Sequence, residues 1–202
     1  MTDQLSEDAF DLLFRDARTA QGFTDTDVPE ETIRKLYDLL KIGPTAGNSC
    51  PARFLFIRKG SDAKARLIPH VSEGNRPKTE AAPWTVVIAY DTEFYERMPT
   101  LFPDRPTMFH NLPQNPEKFR KHTLLNSSLQ GAYLMIAARG LGLDCGPMGG
   151  FEPDGVDAEF FEGDPQRKSW KSSWLCNLGH MTPPKFDRLP RLDFGTAAAI
   201  MD

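Results

Sequence analysis

Cysteine is scarce in this chain. Cys50, Cys145 and Cys176 are odd in number, far apart and not in a CxxC pair, so neither a disulfide framework nor a zinc site is expected, and free thiols are. His70, His110, His122 and His180 show no ligand spacing and no Cys or Asp partner pattern, which argues for solvated or satisfied rings and against a metal centre. No apolar run approaches the length that spans a bilayer. The start, Met1-Thr2-Asp3-Gln4-Leu5-Ser6-Glu7-Asp8, lacks the basic front and apolar centre of a secretion signal, so a cytoplasmic location is expected. Charge of one sign is missing too: a net charge of −4 over 202 residues, with both signs interspersed, recruits neither nucleic acid nor an anionic membrane. No Ser/His/Asp, Cys/His or paired-carboxylate constellation is present, which removes side-chain nucleophiles from consideration.

What is present is a globular composition, 40% hydrophobic and 26% charged, with no internal repeat and no compositional break. One domain over residues 1–202 is expected. Its least explicable stretch is Gly43-Pro44-Thr45-Ala46-Gly47-Asn48-Ser49-Cys50-Pro51-Ala52-Arg53-Phe54, whose prolines and glycines can continue neither helix nor strand. Thr45, Ala46, Gly47, Asn48 and Ser49 leave backbone N–H groups uncovered, which suits a flat or anionic ligand. An ordinary helix-to-strand loop would have the same composition, and both readings stay open on these residues alone.

Ser6 ahead of Glu7 and Asp8, followed by apolar residues near helical period, predicts a capped helix to about Thr19. Arg15, Arg18, Thr19, Gln21 and Gly22 then cluster as groups able to hold a phosphate, or as cations placed against a helix C-terminus. Val28-Pro29-Glu30-Glu31 opens a second helix with Ile33, Leu36, Tyr37 and Leu40 on one apolar face up to Lys41. A strand over 54–58, a Ser61-capped helix stopping near Pro69 and a strand over 84–90 follow, with polar, turn-prone Glu73 to Thr79 upstream of the last. Between Asp91 and Glu117, five prolines lie among Phe94, Tyr95, Phe102, Met108 and Phe109, and predict a packed but irregular insertion, a lid or a dimer contact.

The spacing of Leu125, Leu129, Ala132, Tyr133, Ile136 and Ala137 predicts a central buried helix over 118–142, closed by glycine. Asn126 and Gln130 on one flank are expected to make structural hydrogen bonds. A short strand, 143–145, leads into Gly146-Pro147-Met148-Gly149-Gly150-Phe151, whose exposed backbone donors could address a ring nitrogen or carbonyl. A weak helix over 154–161, a strand over 173–178 and an irregular arm from about 181 to 202 complete the chain.

The motifs Asp16-Ala17-Arg18-Thr19 through Gly22-Phe23, Gly43-Pro44-Thr45-Ala46 with Pro51-Ala52-Arg53-Phe54, Gly74-Asn75 with Lys78-Thr79, and Glu93-Phe94-Tyr95-Glu96-Arg97 recur in one known order. With Asn126-Ser127-Ser128, Gly146-Pro147-Met148, Gly150-Phe151 and Arg188-Leu189-Pro190-Arg191-Leu192, the chain resembles the FMN-dependent nitroreductase superfamily over nearly its whole length. More narrowly, it looks like the malonic semialdehyde reductase subfamily, which includes halogenated-quinone reductases. The resemblance implies an α+β nitroreductase-like fold: a central mixed sheet of four to five strands surrounded by helices, in an intertwined homodimer with FMN at the subunit interface. The insertion falls at about 91–118.

Residue by residue, the resemblance implies that Arg18, Thr19 and Gln21 lie at the flavin phosphate and ring edge, with Gln21 where many relatives carry Arg or Lys. Arg188 matches the C-terminal phosphate arginine, and Phe186 stands where some relatives have Lys, with Lys185 a candidate substitute. Asn75 and Lys78 match the pair at the pyrimidine edge, where a cation stabilises reduced flavin. Pro147 and Met148 lead to Gly149 and Gly150, whose backbone N–H groups match those at the hydride-accepting nitrogen and neighbouring carbonyl; Gly149 replaces a frequent Glu. Pro44, Thr45, Ala46 and Asn48 match the loop that reaches FMN from the other subunit.

No catalytic side chain is implied. NADH or NADPH reduces FMN and leaves, then an acceptor takes the hydride at the same face. The expected reaction is reduction of malonic semialdehyde to 3-hydroxypropionate in pyrimidine degradation. Reduction of a quinone or nitroaromatic is one alternative, and a non-catalytic flavin-binding protein is another.

Overall fold

The computed structural model describes residues 4–201. Its first helix, α1 (Glu7–Phe10), starts as expected: the Ser6 hydroxyl accepts from the Ala9 amide at 3.2 Å. It widens into a π turn over Asp11–Arg15 and stops there, short of Thr19. The physical reason lies across the molecule, where Thr19 forms a parallel bridge with Cys145 and the Ala20 amide donates to the Cys145 carbonyl at 2.9 Å. That pairing needs extended backbone.

Helix α2 (Glu30–Leu40) buries Ile33, Leu36 and Leu40. Tyr37 was expected on the same face, but it is 47% exposed and meets Phe54 edge-on at 6.4 Å. The buried arc is too narrow to take it. Strand β1 (Ala52–Arg58) begins two residues earlier than its apolar run. Then come α3 (Asp62–Leu67), with Ser61 capping through the Lys64 amide at 3.1 Å, α4 (Arg76–Ala81) and β2 (Trp84–Asp91). The insertion holds only short turns and α5 (Met98–Leu101), as its prolines dictate.

Helix α6 (Pro116–Gly140) packs through an unexpected face. Asn126, Ser127, Gln130, Gly131, Leu134 and Ala138 are buried, whereas Leu125, Leu129 and Tyr133 are 57%, 43% and 42% exposed. The gap to the sheet is the cause at mid-helix: a Cβ on Gly131 would run into the indole of Trp174, so the helix can approach the sheet there only through glycine.

Strand β3 (Asp144–Met148) continues through Gly146 and Pro147, further than the sequence suggested; proline is tolerated because β3 is an edge. Helix α7 (Pro153–Asp157), β4 (Trp170–Gly179) and α8 (Phe194–Ala197) follow. The sheet has order β1-β2-β4-β3, and every ladder is antiparallel. The expected mixed character is therefore corrected, since among the described residues parallel pairing is confined to the isolated Thr19–Cys145 bridge.

Strand alternation splits the core. One face packs Trp84, Val86, Ile88, Cys176 and Leu178 against α2 and α6. The other packs Val87, Ala89, Leu175, Met148 and Phe161 against α3 and α7. All three cysteines are free thiols. Among the described residues no helix is long and apolar enough to cross a membrane, and no group of His, Cys, Asp and Glu could hold a metal.

Candidate functional site

Edge strand β3 organises two clusters of the expected site residues. At its start, the 17–20 segment lies alongside Cys145, and the C-terminal arm crosses the same segment. Arg188 donates to the carbonyls of Arg15 (2.5 Å) and Ala17 (2.8 Å), and Arg18 donates to the Phe186 carbonyl at 2.6 Å. Two residues 170 positions apart in the chain thus share one turn. Neither guanidinium is paired with a carboxylate among the described residues. Thr19 is exposed, Gln21 and the Arg18 side chain are half-buried, and Lys185 stands exposed in the arm three residues before Arg188.

At the other end, β3 runs through half-buried Pro147 and buried Met148 into Gly149 and Gly150. The amide of Ser72 donates to the Gly150 carbonyl at 3.0 Å, and Val71 bridges Phe151. Asn75 then donates through Nδ2 to Ser72 Oγ (2.9 Å) and to the Gly150 carbonyl (3.1 Å). This approach leaves no room for a side chain at 150: a Cβ there would lie 2.5 Å from both Asn75 Nδ2 and Ser72 Oγ. Gly149, by contrast, is exposed, and a Cβ there would meet nothing within 4 Å. One turn beyond Asn75, Lys78 is half-buried, and burial lowers its pKa below the ordinary lysine value. The two clusters stand roughly 16 Å apart at about 3.3 Å per residue of strand.

The third group, Pro44 to Asn48, lies elsewhere. It precedes β1, the opposite sheet edge, about 14 Å across three strand spacings. A polar row on α6 holds it: Asn126 accepts from the Ala46 amide (2.8 Å), Gln130 accepts from the Ala52 amide (2.9 Å), and His122 Nε2 meets Ser49 Oγ (3.0 Å). The expected structural role of Asn126 and Gln130 is thereby fulfilled. Thr45 Oγ1 accepts from the Cys50 amide (3.1 Å), and Asn48 donates to the Leu101 carbonyl (2.8 Å), which ties the loop to the insertion. Asn48 and Cys50 adopt positive φ, 51° and 39°, the backbone that ordinary helix or strand rules could not supply. Next to the loop an open groove of about 730 Å³ is lined by Asn48, Cys50, Arg53, Arg97 and Leu101. Arg53 there is neutralised by buried Asp91 at 2.6 Å.

Three residues of the β3 side escaped the sequence reading as site components: Ser72, Thr79 and Asn177. Thr79 is fully buried, donates to the Asn75 carbonyl at 2.9 Å and accepts from Asn177 Nδ2 at 3.2 Å. The only signal was a polar residue inside an apolar strand, Asn177, whose partner no local rule could name.

A family model described as "Nitroreductase family" matches residues 15–180. The chain is 50% identical over 204 residues to the "Putative NADH dehydrogenase/NAD(P)H nitroreductase" of Stenotrophomonas maltophilia (strain K279a), covering 99% of this chain and 100% of that one. It is also 50% identical over 202 residues to the protein of the same description from Xanthomonas oryzae pv. oryzae (strain PXO99A), with 98% of each covered. Among solved structures, a "putative nitroreductase in complex with FMN" from Exiguobacterium sibiricum 255-15 superposes with a TM-score of 0.83 at 20% identity, over 99% of this chain and 100% of that one.

Proposed function

The chain belongs to the nitroreductase family, and on that premise we propose that it is one FMN-binding domain over residues 1–202, working as a cytoplasmic homodimer that reduces a small carbonyl acceptor. The fold is nitroreductase-like, and the protein is an NAD(P)H-dependent flavin oxidoreductase with FMN as cofactor and NAD(P)H as electron donor. Within that class, our reading of the acceptor is malonic semialdehyde, reduced to 3-hydroxypropionate in pyrimidine degradation. The observation that carries the site is the convergence of Asn75 on Gly150, where a Cβ would be crowded out, beside the half-buried Lys78.

These residues suit an elongated ligand with an anion at one end and a flat polar ring at the other. Arg18 and Arg188 would hold the phosphate, each keeping N–H groups beyond those given to backbone carbonyls. Thr19 and Gln21 flank them, and Lys185 stands in the same arm. Asn75 and Lys78 would address the pyrimidine edge, where a lysine with depressed pKa supplies a charge that water does not fully screen. The open space at Gly149 and the packed backbone at Gly150 leave the ring's neighbours as N–H groups rather than side chains. When bound, FMN carries a hydride from NAD(P)H to the acceptor in two half-reactions at one face.

Pro44, Thr45, Ala46 and Asn48 would reach the flavin of the partner subunit, since in their own chain they stand at the far sheet edge. The exposed stripe of Leu125, Leu129 and Tyr133 supports the same dimer, because an apolar row of this kind is unfavourable in water.

NADPH-driven turnover of malonic semialdehyde, benzoquinone and a nitroaromatic tests the acceptor. Malonic semialdehyde is expected to give the highest kcat/KM. A preference above about a hundredfold for quinone, close to 3 kcal/mol of barrier, would replace the carbonyl reading. The relatives' descriptions as NAD(P)H nitroreductases favour the nitroaromatic as the second reading.

A further inference from the structure

Lys64 is 4% exposed in the interior beneath α4, and it has no carboxylate partner among the described residues. Its ammonium has three donors and meets three acceptors: the Thr79 carbonyl (3.0 Å), the Ala82 carbonyl (3.4 Å) and Thr85 Oγ1 (2.5 Å). From there the bonds run in one direction. Thr85 Oγ1 donates to Asn177 Oδ1 (2.7 Å), Asn177 Nδ2 donates to Thr79 Oγ1 (3.2 Å), and Thr79 Oγ1 donates to the carbonyl of Asn75 (2.9 Å). The chain that begins at a buried cation ends on the residue that clasps Gly150.

We propose that Lys64 is a positioning residue of the flavin site, holding α4 so that Asn75 and Lys78 face the ring, and that its unneutralised charge is coupled to the charge the flavin gains on reduction. The inference rests on the FMN reading above. Reduction by NAD(P)H delivers a hydride, two electrons and one proton, and leaves NAD(P)⁺; the flavin then carries one negative charge more, unless it takes up a second proton. A cation held in a poorly screened interior favours that charge, and by reciprocity the charge favours the cation.

Burial pulls the Lys64 pKa down to about 7, with Lys59 adding to the effect, so the charge can be switched within an accessible range. The other charged groups around it are accounted for. On α3, Asp62 and Arg66 pair at 3.2 Å and Arg66 also meets Glu159 at 2.8 Å; on the preceding turn, Lys59 pairs with Asp25 at 2.8 Å. On α4 the charged residues are Arg76, Lys78 and Glu80; Arg76 donates to the carbonyls of Val71 (2.8 Å) and Pro69 (3.2 Å), and Glu80 lines the surface groove beside Lys64 without pairing to it. Strand β2 gives the amine Thr85, and β4 is joined to it one bond further on through Asn177, which accepts from the Thr85 hydroxyl.

The test is an NMR titration of the holoprotein labelled at lysine Cε, with Lys64 assigned through Lys64→Arg, in the oxidised and the reduced state. The Lys64 pKa is expected to rise by about one unit on reduction, a tenfold coupling. An unchanged pKa with FMN bound overturns the inference. A potentiometric series from pH 6 to pH 9 adds a second readout: the midpoint of the native protein should exceed that of Lys64→Met at pH 6 and converge with it at pH 9. Curves that run parallel across the range would show a structural role only, and overturn the coupling. If Lys64→Met does not fold, the titration of the native protein decides. Failure of the native protein to retain FMN at all would instead remove the reading beneath both.

Discussion

The two sheet edges of this protein treat their polar groups in opposite ways. Around β3, the site residues make few bonds, and several of those they make leave donors to spare: Arg18, Arg188 and Lys78 have no carboxylate partner among the described residues, and Gly149 is open. Ahead of β1, the 44–50 loop spends its groups on its own chain, with Ala46, Asn48, Ser49 and Cys50 all engaged by α6, the insertion or Thr45. The contrast separates a region whose groups are left free for a ligand from one whose shape is fixed within its own chain before it is offered to the partner. A residue on the first edge should therefore govern ligand retention, and one on the second should govern stability.

The largest expected effect lies at the convergence on β3. Gly150→Ala should weaken FMN binding by about a hundredfold, because the new methyl must displace Asn75 and Ser72, a strain of roughly 1–3 kcal/mol compounded by the loss of their alignment. Fluorescence of released flavin on dilution measures it, and native-like retention would break the contrast at its strongest point. On the other edge, Asn126→Ala should cost about 2 kcal/mol of folding stability by stranding the Ala46 amide, read as a lower urea midpoint. If that variant kept its stability and lost only flavin, the bond from Asn126 would serve the partner's site and not the loop's own fold.

A smaller change is expected for Arg188→Ala. It should raise the FMN dissociation constant about tenfold while leaving the urea midpoint near native, since the arginine is exposed and its bonds are to surface carbonyls. The smallest effect concerns pH. Burial holds His122, stacked on Phe94 and tilted against Phe109, below its ordinary pKa of 6.5, so the unfolded chain binds more protons and stability falls as pH drops from 7 toward 5. His122→Gln should flatten that slope in thermal melts; an identical slope would place the acid sensitivity elsewhere.

Much of this was legible in one dimension. Ser6 and Ser61 announced their caps, Pro29-Glu30-Glu31 opened α2, and the prolines of the insertion kept it irregular. These features depend on contacts within a few residues. The α6 pattern misled for the opposite reason. Leu125, Leu129 and Tyr133 have the spacing of a buried stripe, yet the sheet takes the face of Asn126, Gln130 and Gly131, because Trp174 stands too close for anything larger. Periodicity records that an apolar face needs covering; it does not record which surface covers it.

What the sequence determined alone is therefore local: the start and stop of most elements, and the order of motifs that marks the family. Tertiary structure decided what no spacing carries, namely that Arg188 returns to the turn of Arg18, that Asn75 closes on Gly150, and that Lys64, outwardly one more lysine on a short helix, is buried without a counterion among the described residues. A hydrogen bond needs its partners within about 3 Å, and only folding brings residues so distant in the chain to that range.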